Sequence, residues 1–432
     1  MFPAPHDALL LPAHPNLLQY RKLAKELLRV ARSGDQSALK AWAGEWVQSL
    51  VRLSELTLAR KMPIDADHWA AQVVEFARGT LAGARSKPCV LADTQFVLAR
   101  LHGFDNWPEF ARHIDELRNS ESTTSNFEAA ADAIVDGDQN ALLTLLQIDP
   151  ELVRARSTRE HKATLLHYVA ANGVEGWRQK TPRNIVEIAE ALLNHGAEID
   201  ATTRMYGGEC TTLGLAATSI HPQRAGVQIA LLTLLLDRGA RMDQDNSAGN
   251  RQSLVKACLA NGRGQAAEYL AARGVSLDLE TACGVGAIDA VIDAFDADGR
   301  LKNGAHEEQL REGFHWACQF GRNRVIEFLL DRGIDLNTQD RHGQTALHHA
   351  VIGAQLETAK LLLKRGALLE VKNEYGGTVL GQAIWSATNA PSPTPFLAII
   401  LLLHQSGAKG SPEIEKAWAE LSRREVSKLK PR

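Results

Sequence analysis

This chain of 432 residues has no apolar run long enough to cross a membrane, and its net charge of −3 leaves no excess of either sign. The first absence argues against a membrane partner. The second removes any global pull toward nucleic acid, and the one basic run, Arg423, Arg424, Lys428, Lys430 and Arg432, lies in the terminal tail, where charge is ordinarily solvated. The stretch MFPAPHDALLLPAHP has four prolines and no charged start, so it does not read as a secretion signal. A cytoplasmic protein is expected. Cysteine is scarce: Cys89, Cys210, Cys258, Cys283 and Cys318 are odd in number and widely spaced with no C-x-x-C pair, which excludes a disulfide framework and a thiolate metal site. They read as reduced thiols, mostly small core residues.

Catalytic signatures are missing as well. No G-x-S-x-G or G-K-[ST] loop occurs, Gly284-Val285-Gly286 has no strand before it, and HEEQL at His306 lacks the second histidine of a zinc motif. No cofactor and no metal is therefore expected, and no catalytic residue is nominated. If chemistry occurs, His349, His221 and Tyr168 are the groups able to exchange protons.

What is present is helical and periodic. NLLQYRKLAKELLRVARSGD carries apolar residues at helical spacing and stops at Gly34, LADTQFVLARLHGF stops at Gly103, and DNWPEFARHIDEL restarts with Asp105 or Asn106 as cap and Pro108 in the first turn. Residues 1–118 form a helical domain on this reading. The polar, unpatterned 119–126 reads as a linker. A repeating array follows over 127–408, and 409–432 reads as a C-terminal helix with a basic tail. The clearest repeat, DRHGQTALHHAVIGAQLETAKLLLKRGALLEVK, runs from Asp340 to Lys372, and the next begins 33 residues after it started, at Asn373. Thr345 caps the first helix, Ala350 lets helices approach closely, Leu361, Leu362 and Leu363 supply a buried seam, and Gly366 ends the second helix.

That period and the T-x-L-H block resemble the ankyrin-repeat family. The N-terminal LPAHPNLLQYRKLAKELL and LHGFDNWPEFARHI resemble the helical leader of a group of bacterial ankyrin-repeat proteins. The resemblance implies an all-α ankyrin-repeat solenoid of about eight repeats preceded by a small helical domain. It also implies that His167, His315 and His348 are structural histidines bridging backbone groups.

The array departs from its own spacing three times. From the block's capping position to the helix-ending glycine, Ser253/Gly274, Glu312/Gly333 and Thr345/Gly366 are 21 residues apart, whereas Thr164/Gly196, Thr211/Gly239 and Thr378/Gly407 are 32, 28 and 29 apart. The extra chain falls near 174–184, 219–227 and 388–396, and repeats stacked alike place the first two insertions side by side. Two repeats also carry glycine in the histidine slot, at Gly214 and Gly381, each behind Tyr-Gly-Gly. Glycine near a helix start costs about 0.5–1 kcal/mol against alanine, so each must make room for something, either a packed neighbour or a ligand.

Two candidate sites follow. In the family the residue after the histidine slot and those near the helix end face the concave groove, which aligns Trp316, Phe320, His349, Ile352 and Trp385 into an aromatic stripe suited to a protein or peptide partner. The alternative is a small molecule, or an enzyme's substrate, under the insertions of repeats two and three. There Tyr168, Asn172, Trp177, Arg178 and His221 combine cations with ring surface.

Overall fold

The computed structural model describes residues 2–12, 15–57, 65–82, 88–242, 253–302, 306–390 and 392–428, mostly as helix. They form two compact units, Met1–Gln252 and Ser253–Arg432.

The first unit opens with five helices, Leu17–Ser33, Gln36–Thr57, Ala66–Ala82, Leu91–Leu101 and Trp107–Glu116. Asn16 caps the first by accepting the Leu18 N–H at 2.9 Å, and Gly34 ends it at φ 70°. Asn106, not Asp105, caps the last, accepting from Glu109 N at 2.9 Å. Leu27, Trp46, Val73, Ala77, Val97 and Leu98 form their shared core. A second cluster of Tyr20, Phe104, Phe110 and Ile114 lies toward the array.

The second half of the expected linker at 119–126 is a helix start, and 119–122 is turn. Thr123–Asp136 is continuous helix, with Ser122 as its cap accepting from Ser125 N at 3.1 Å. The first N–H groups of a helix have no partner within it, so serine and threonine belong there, and the polar composition that suggests a linker is that of a capped first turn. The first repeat therefore begins before Phe127, the start expected from periodicity.

Three helix pairs follow in this unit: Thr123–Asp136 with Gln139–Ile148, Leu165–Tyr168 with Ile185–Asn194, and Thr212–Thr218 with Gln228–Asp237. The second unit holds five: Leu254–Ala260 with Gly264–Ala272, Leu279–Val285 with Ile288–Asp293, Glu307–Gln319 with Asn323–Asp331, Ala346–Ile352 with Leu356–Lys364, and Val379–Asn389 with Thr394–Gln405. The helix Pro412–Lys428 closes it; of the basic tail, Arg424 and Lys428 have no described side chains, and Lys430 and Arg432 lie outside the described residues.

The histidine slot explains how one repeat is joined to the next. His167 Nδ1 accepts the Thr164 N–H at 3.1 Å, so the proton sits on Nε2, which donates to Ala201 O at 3.0 Å in the following turn. His348 repeats this between Thr345 N and Gly377 O at 3.2 and 3.4 Å, and His315 donates to Thr338 O at 3.1 Å. Burial keeps these rings neutral, pushing His167 down to about 3 and His315 and His348 to about 4. Cys258, Cys283 and Cys318 lie in the first helices of three successive repeats, fully buried, and burial raises all three thiols, Cys258 and Cys283 to about 12. They are inert packing groups.

The third expected insertion, 388–396, is not mainly loop. Val379–Asn389 has 11 residues and Thr394–Gln405 has 12, where Ala346–Ile352 and Leu356–Lys364 have 7 and 9. Most of the extra chain lengthens the two helices, because WSATN and PFLAII continue the apolar periodicity on either side of Pro391 and Pro393.

Candidate partner-binding site

The two Tyr-Gly-Gly stretches form different turns. Thr202–Met205 pairs antiparallel with Gly208–Thr211, joined by Tyr206 at φ 53° and Gly207 at φ 79°, a two-residue hairpin with both residues left-handed. Tyr375 instead occupies a turn in which Gly376 N donates to Asn373 O at 2.9 Å, while Asn373 Oδ1 accepts the N–H of Tyr375 and Gly377 at 3.1 and 2.9 Å. Asp340 organises the preceding repeat's turn in the same way, accepting from His342 and Gln344 N. Glu209 and Cys210 account for the difference. They lengthen the first hairpin before its capping threonine, whereas Thr378 follows Gly377 directly.

Gly381 has a packing explanation. A Cβ on it would lie 3.1 Å from Ile414 Cδ1, so the closing helix occupies the space that a histidine fills elsewhere. The slot histidine reaches for a carbonyl in the following repeat's turn, and after this repeat the chain continues as a lone helix. At Gly214 the following turn falls in 243–252, outside the described residues.

The closing helix crosses its neighbours and does not lie along them. Ile414 meets Gly381 near the start of Val379–Asn389, and Trp418 meets His404, near the end of Thr394–Gln405, with ring centroids 5.9 Å apart. In an antiparallel pair those two points are at the same end. The far part of Val379–Asn389 is left uncovered, and Trp385 there is 64% exposed. Between the crossing helix, Trp385, Ile352 and the Tyr375 turn lies a groove of about 950 Å³, which Gly381 and Gln382 help to line. Tyr375 stands at its edge, 80% exposed.

Of the expected stripe, Ile352 and Trp385 line this groove. Trp316 and Phe320 are half-buried, their rings lying against the backbone at Gly284 and Gly264, where a Cβ would come within 3.2 and 2.6 Å. His349 is buried. It stacks on His315 with centroids 4.8 Å apart and has Asp340 Oδ2 at 3.0 Å and Gln319 Oε1 at 3.2 Å. Burial alone lifts the Asp340 carboxyl, but the bond from His349 and the backbone N–H of Gln344 and His342 hold it well below the usual range.

The second expected cluster is turned inward. Tyr168, Trp177 and Arg178 are all buried. Arg178 meets Asp132 Oδ1 and Glu128 Oε2 at 2.9 Å, and Glu175, fully buried, has Arg159 Nε at 2.5 Å, a charge contact poorly aligned as a hydrogen bond. Arg159 also meets Glu128 at 3.0 Å and donates to His102 O at 3.3 Å, reaching the leader helices. Burial alone raises the carboxyls of Glu128 and Glu175, but both guanidiniums pull them down, Glu128 to about 2. Tyr168 OH donates to Glu175 at 3.4 Å, and burial raises the phenol well above its ordinary value.

This insertion is thus a clasp on the leader. The Gly176 backbone lies so close to His6 O that a Cβ would come within 2.6 Å of it, and Leu9 is stitched to the leader through Leu101 O and the His102 ring at 2.7 and 2.8 Å. Gly176 and Trp177 line a cavity of only about 50 Å³, below the size that encloses a metabolite. A larger cavity of about 640 Å³ lies beside Phe2, Arg100, Glu160 and Tyr206, with Gly173 at its edge. Asn172 ties repeats two and three, donating to Leu215 O at 3.2 Å and accepting from Tyr206 OH at 2.6 Å. His221 lies in the short helix Ile220–Arg224, partly buried, its backbone N donating to Ser219 Oγ. Arg159, Glu175 and Glu128 carry no motif, whereas Gln344, Tyr375, Gly377, Gly381 and Gln382 of the groove sit in or beside the repeats' patterned blocks.

The family model for ankyrin repeats, spanning three copies, matches residues 298–408. These helix pairs are ankyrin repeats. Among curated relatives, ADP-ribosylation factor GTPase-activating protein AGD4 of Arabidopsis thaliana is 41% identical over 70 residues, 16% of this chain and 9% of that protein. Human SH3 and multiple ankyrin repeat domains protein 2 is 30% identical over 199 residues, 46% of this chain and 9% of the other. Human ankyrin repeat and SOCS box protein 16 is 27% identical over 259 residues, 56% of this chain and 54% of the other. The human ASB11 ankyrin repeat domain is a solved structure at 22% identity and TM-score 0.33, with 66% of this chain and 98% of that one covered. This chain therefore spans about a tenth of the length of the first relatives. Among the described residues no helix is long and apolar enough to cross a membrane, and no group of three or more His, Cys, Asp or Glu side chains is arranged to hold a metal ion.

Proposed function

We propose that this chain is a binding protein that captures a protein or peptide partner on the ankyrin face ending in Ile352 and Trp385. The observation that carries the reading is Trp385, a large ring left 64% exposed in an apolar groove while the same helix buries Leu380, Ala383 and Ile384. A large ring left in solvent beside an apolar groove is the kind of side chain that anchors an interface once a partner covers it, and repeat arrays bind through such surfaces. The small-molecule reading loses its main support, since Trp177 and Arg178 are committed to the clasp.

The test compares the full chain with its Trp385→Ala variant against a partner captured by the wild type. Affinity should weaken at least about thirtyfold, the loss of a hot-spot side chain, with the thermal midpoint unchanged because the ring contributes little to the core. Equal affinity in the two proteins would remove this face from consideration.

A further inference from the structure

Resting on that reading, we infer that the groove takes an extended peptide segment bearing an apolar side chain next to a lysine or arginine, and not a helix. Three features of the groove select this occupant.

The first is its carboxamides. Asn373 commits its oxygen to the turn, Gln382 commits its nitrogen to Ser386 Oγ at 3.1 Å, and Asn389 commits its nitrogen to Trp385 O at 2.8 Å. Each amide is thereby held in one orientation with its other half uncommitted among the described residues, so Asn373 offers donors while Gln382 and Asn389 offer acceptors. Gln344 offers both. An extended chain brings unpaired N–H and C=O groups that need such partners, whereas a helix has already paired its own and would bury these amides against an apolar stripe, at about 1–3 kcal/mol for each one left unsatisfied.

The second is ring surface. Trp385 and Tyr375 are exposed, with Ile352 and Ile414 between the elements that carry them, which suits one apolar side chain of the peptide. The third is charge. Glu413 lines the groove at the start of the closing helix, and no lysine, arginine or histidine is among the described residues lining it. A basic neighbour on the peptide meets a carboxylate there and no opposing cation.

The experiment selects a random-peptide library on the immobilised full-length chain, subtracting whatever also binds the Trp385→Ala protein, with Tyr375→Ala as a second subtraction should the first variant be unstable. The expected result is enrichment of an apolar residue beside Lys or Arg without helical periodicity. Introducing Glu413→Lys should weaken the selected peptides about tenfold and shift a repeated selection toward Asp or Glu. Enrichment of amphipathic helical sequences, or basic peptides indifferent to Glu413→Lys, overturns this occupant while leaving the partner-binding reading intact. No enrichment that depends on Trp385 or Tyr375 overturns both.

Discussion

Repeat two and repeat eight both exceed the regular spacing of the array, and they spend the extra chain in opposite ways. In repeat two it becomes the clasp, in which Arg178 and Glu175 are buried with Arg159 and Glu128 and the 3₁₀ turn Gly176–Arg178 is pressed against the N-terminal segment. In repeat eight it becomes longer helix, and the closing helix crosses at one end so that Trp385 stays in solvent. The lesson is that an insertion's length says nothing of its purpose. What decides is whether a neighbour supplies counter-charges and backbone close enough to bury it. For repeat two the first repeat supplies the counter-charges, Glu128 and Asp132, and His6 and His102 supply the backbone. For repeat eight there is a helix that packs through Ile414, Trp418 and Leu421 and brings no counter-charge to Trp385 or its neighbours.

The largest test of the contrast is acid. His102 and His167 are pushed down to about 3 and His113 to about 4 in the first unit, while His315 and His348 are at about 4 in the second, all by burial. Their folded values lie below the unfolded 6.5, so the unfolded chain binds more protons and stability falls as pH drops from about 6.5 toward 4. At pH 5 each ring costs up to about 2 kcal/mol, giving roughly 6 for the first unit against roughly 4 for the second. Glu128, depressed to about 2, acts in the adjoining window: its stabilisation is complete above about 4.5 and is lost as pH falls toward 2. Hydrogen exchange followed by segment should show the first unit opening earlier on acidification. Equal protection in both units from pH 7 to pH 5 would contradict this.

Next in size is the clasp itself. Removing Glu175 leaves buried Arg159 and Arg178 with Glu128 as the one counter-charge they still share, and breaking a buried pair from one side costs about 3–5 kcal/mol. Glu175→Ala should therefore lower protection in the leader and repeats one and two, and leave residues 306–390 unchanged. If Arg159→Met in the same chain restores part of the loss, the cost lies in the uncompensated charge; a purely additive pair of substitutions would place it in packing.

How much of this the sequence discloses follows from where each signal is encoded. The repeats are legible because capping threonine, slot histidine and terminal glycine are local, and each performs its task within one helix pair or the next turn. Trp385 and Ile352 are legible for the same reason, since position within a repeat decides which way a side chain faces. The clasp is not. Glu128, Arg159 and Glu175 lie on three separate segments, and nothing in any of them announces that charges so far apart meet in the interior. Arg178 read alone is a loop cation, and only its neighbours turn it into a structural one. The linker failed differently, because a capped first turn and a linker share the same composition.

The smallest test returns to Gly381. Alanine there gains up to about 1 kcal/mol of helix propensity, and its Cβ would meet only the end of the Ile414 side chain, which can give by a few tenths of an ångström. Gly381→Ala should change the midpoint by less than about 1 kcal/mol, in either direction. Gly381→His restores the family residue but not its purpose: Thr378 still offers its N–H, yet among the described residues a helix, not a further repeat's turn, follows, and no turn carbonyl is presented to Nε2. The imidazole must then displace Ile414, and the closing helix should lose protection while the rest of the second unit keeps it. Peptide capture at Trp385 should fall with that helix, because Ile414 and Glu413 form its far wall. If Gly381→His leaves the closing helix in place, the glycine is not there for Ile414, and the space it leaves belongs to the groove's occupant.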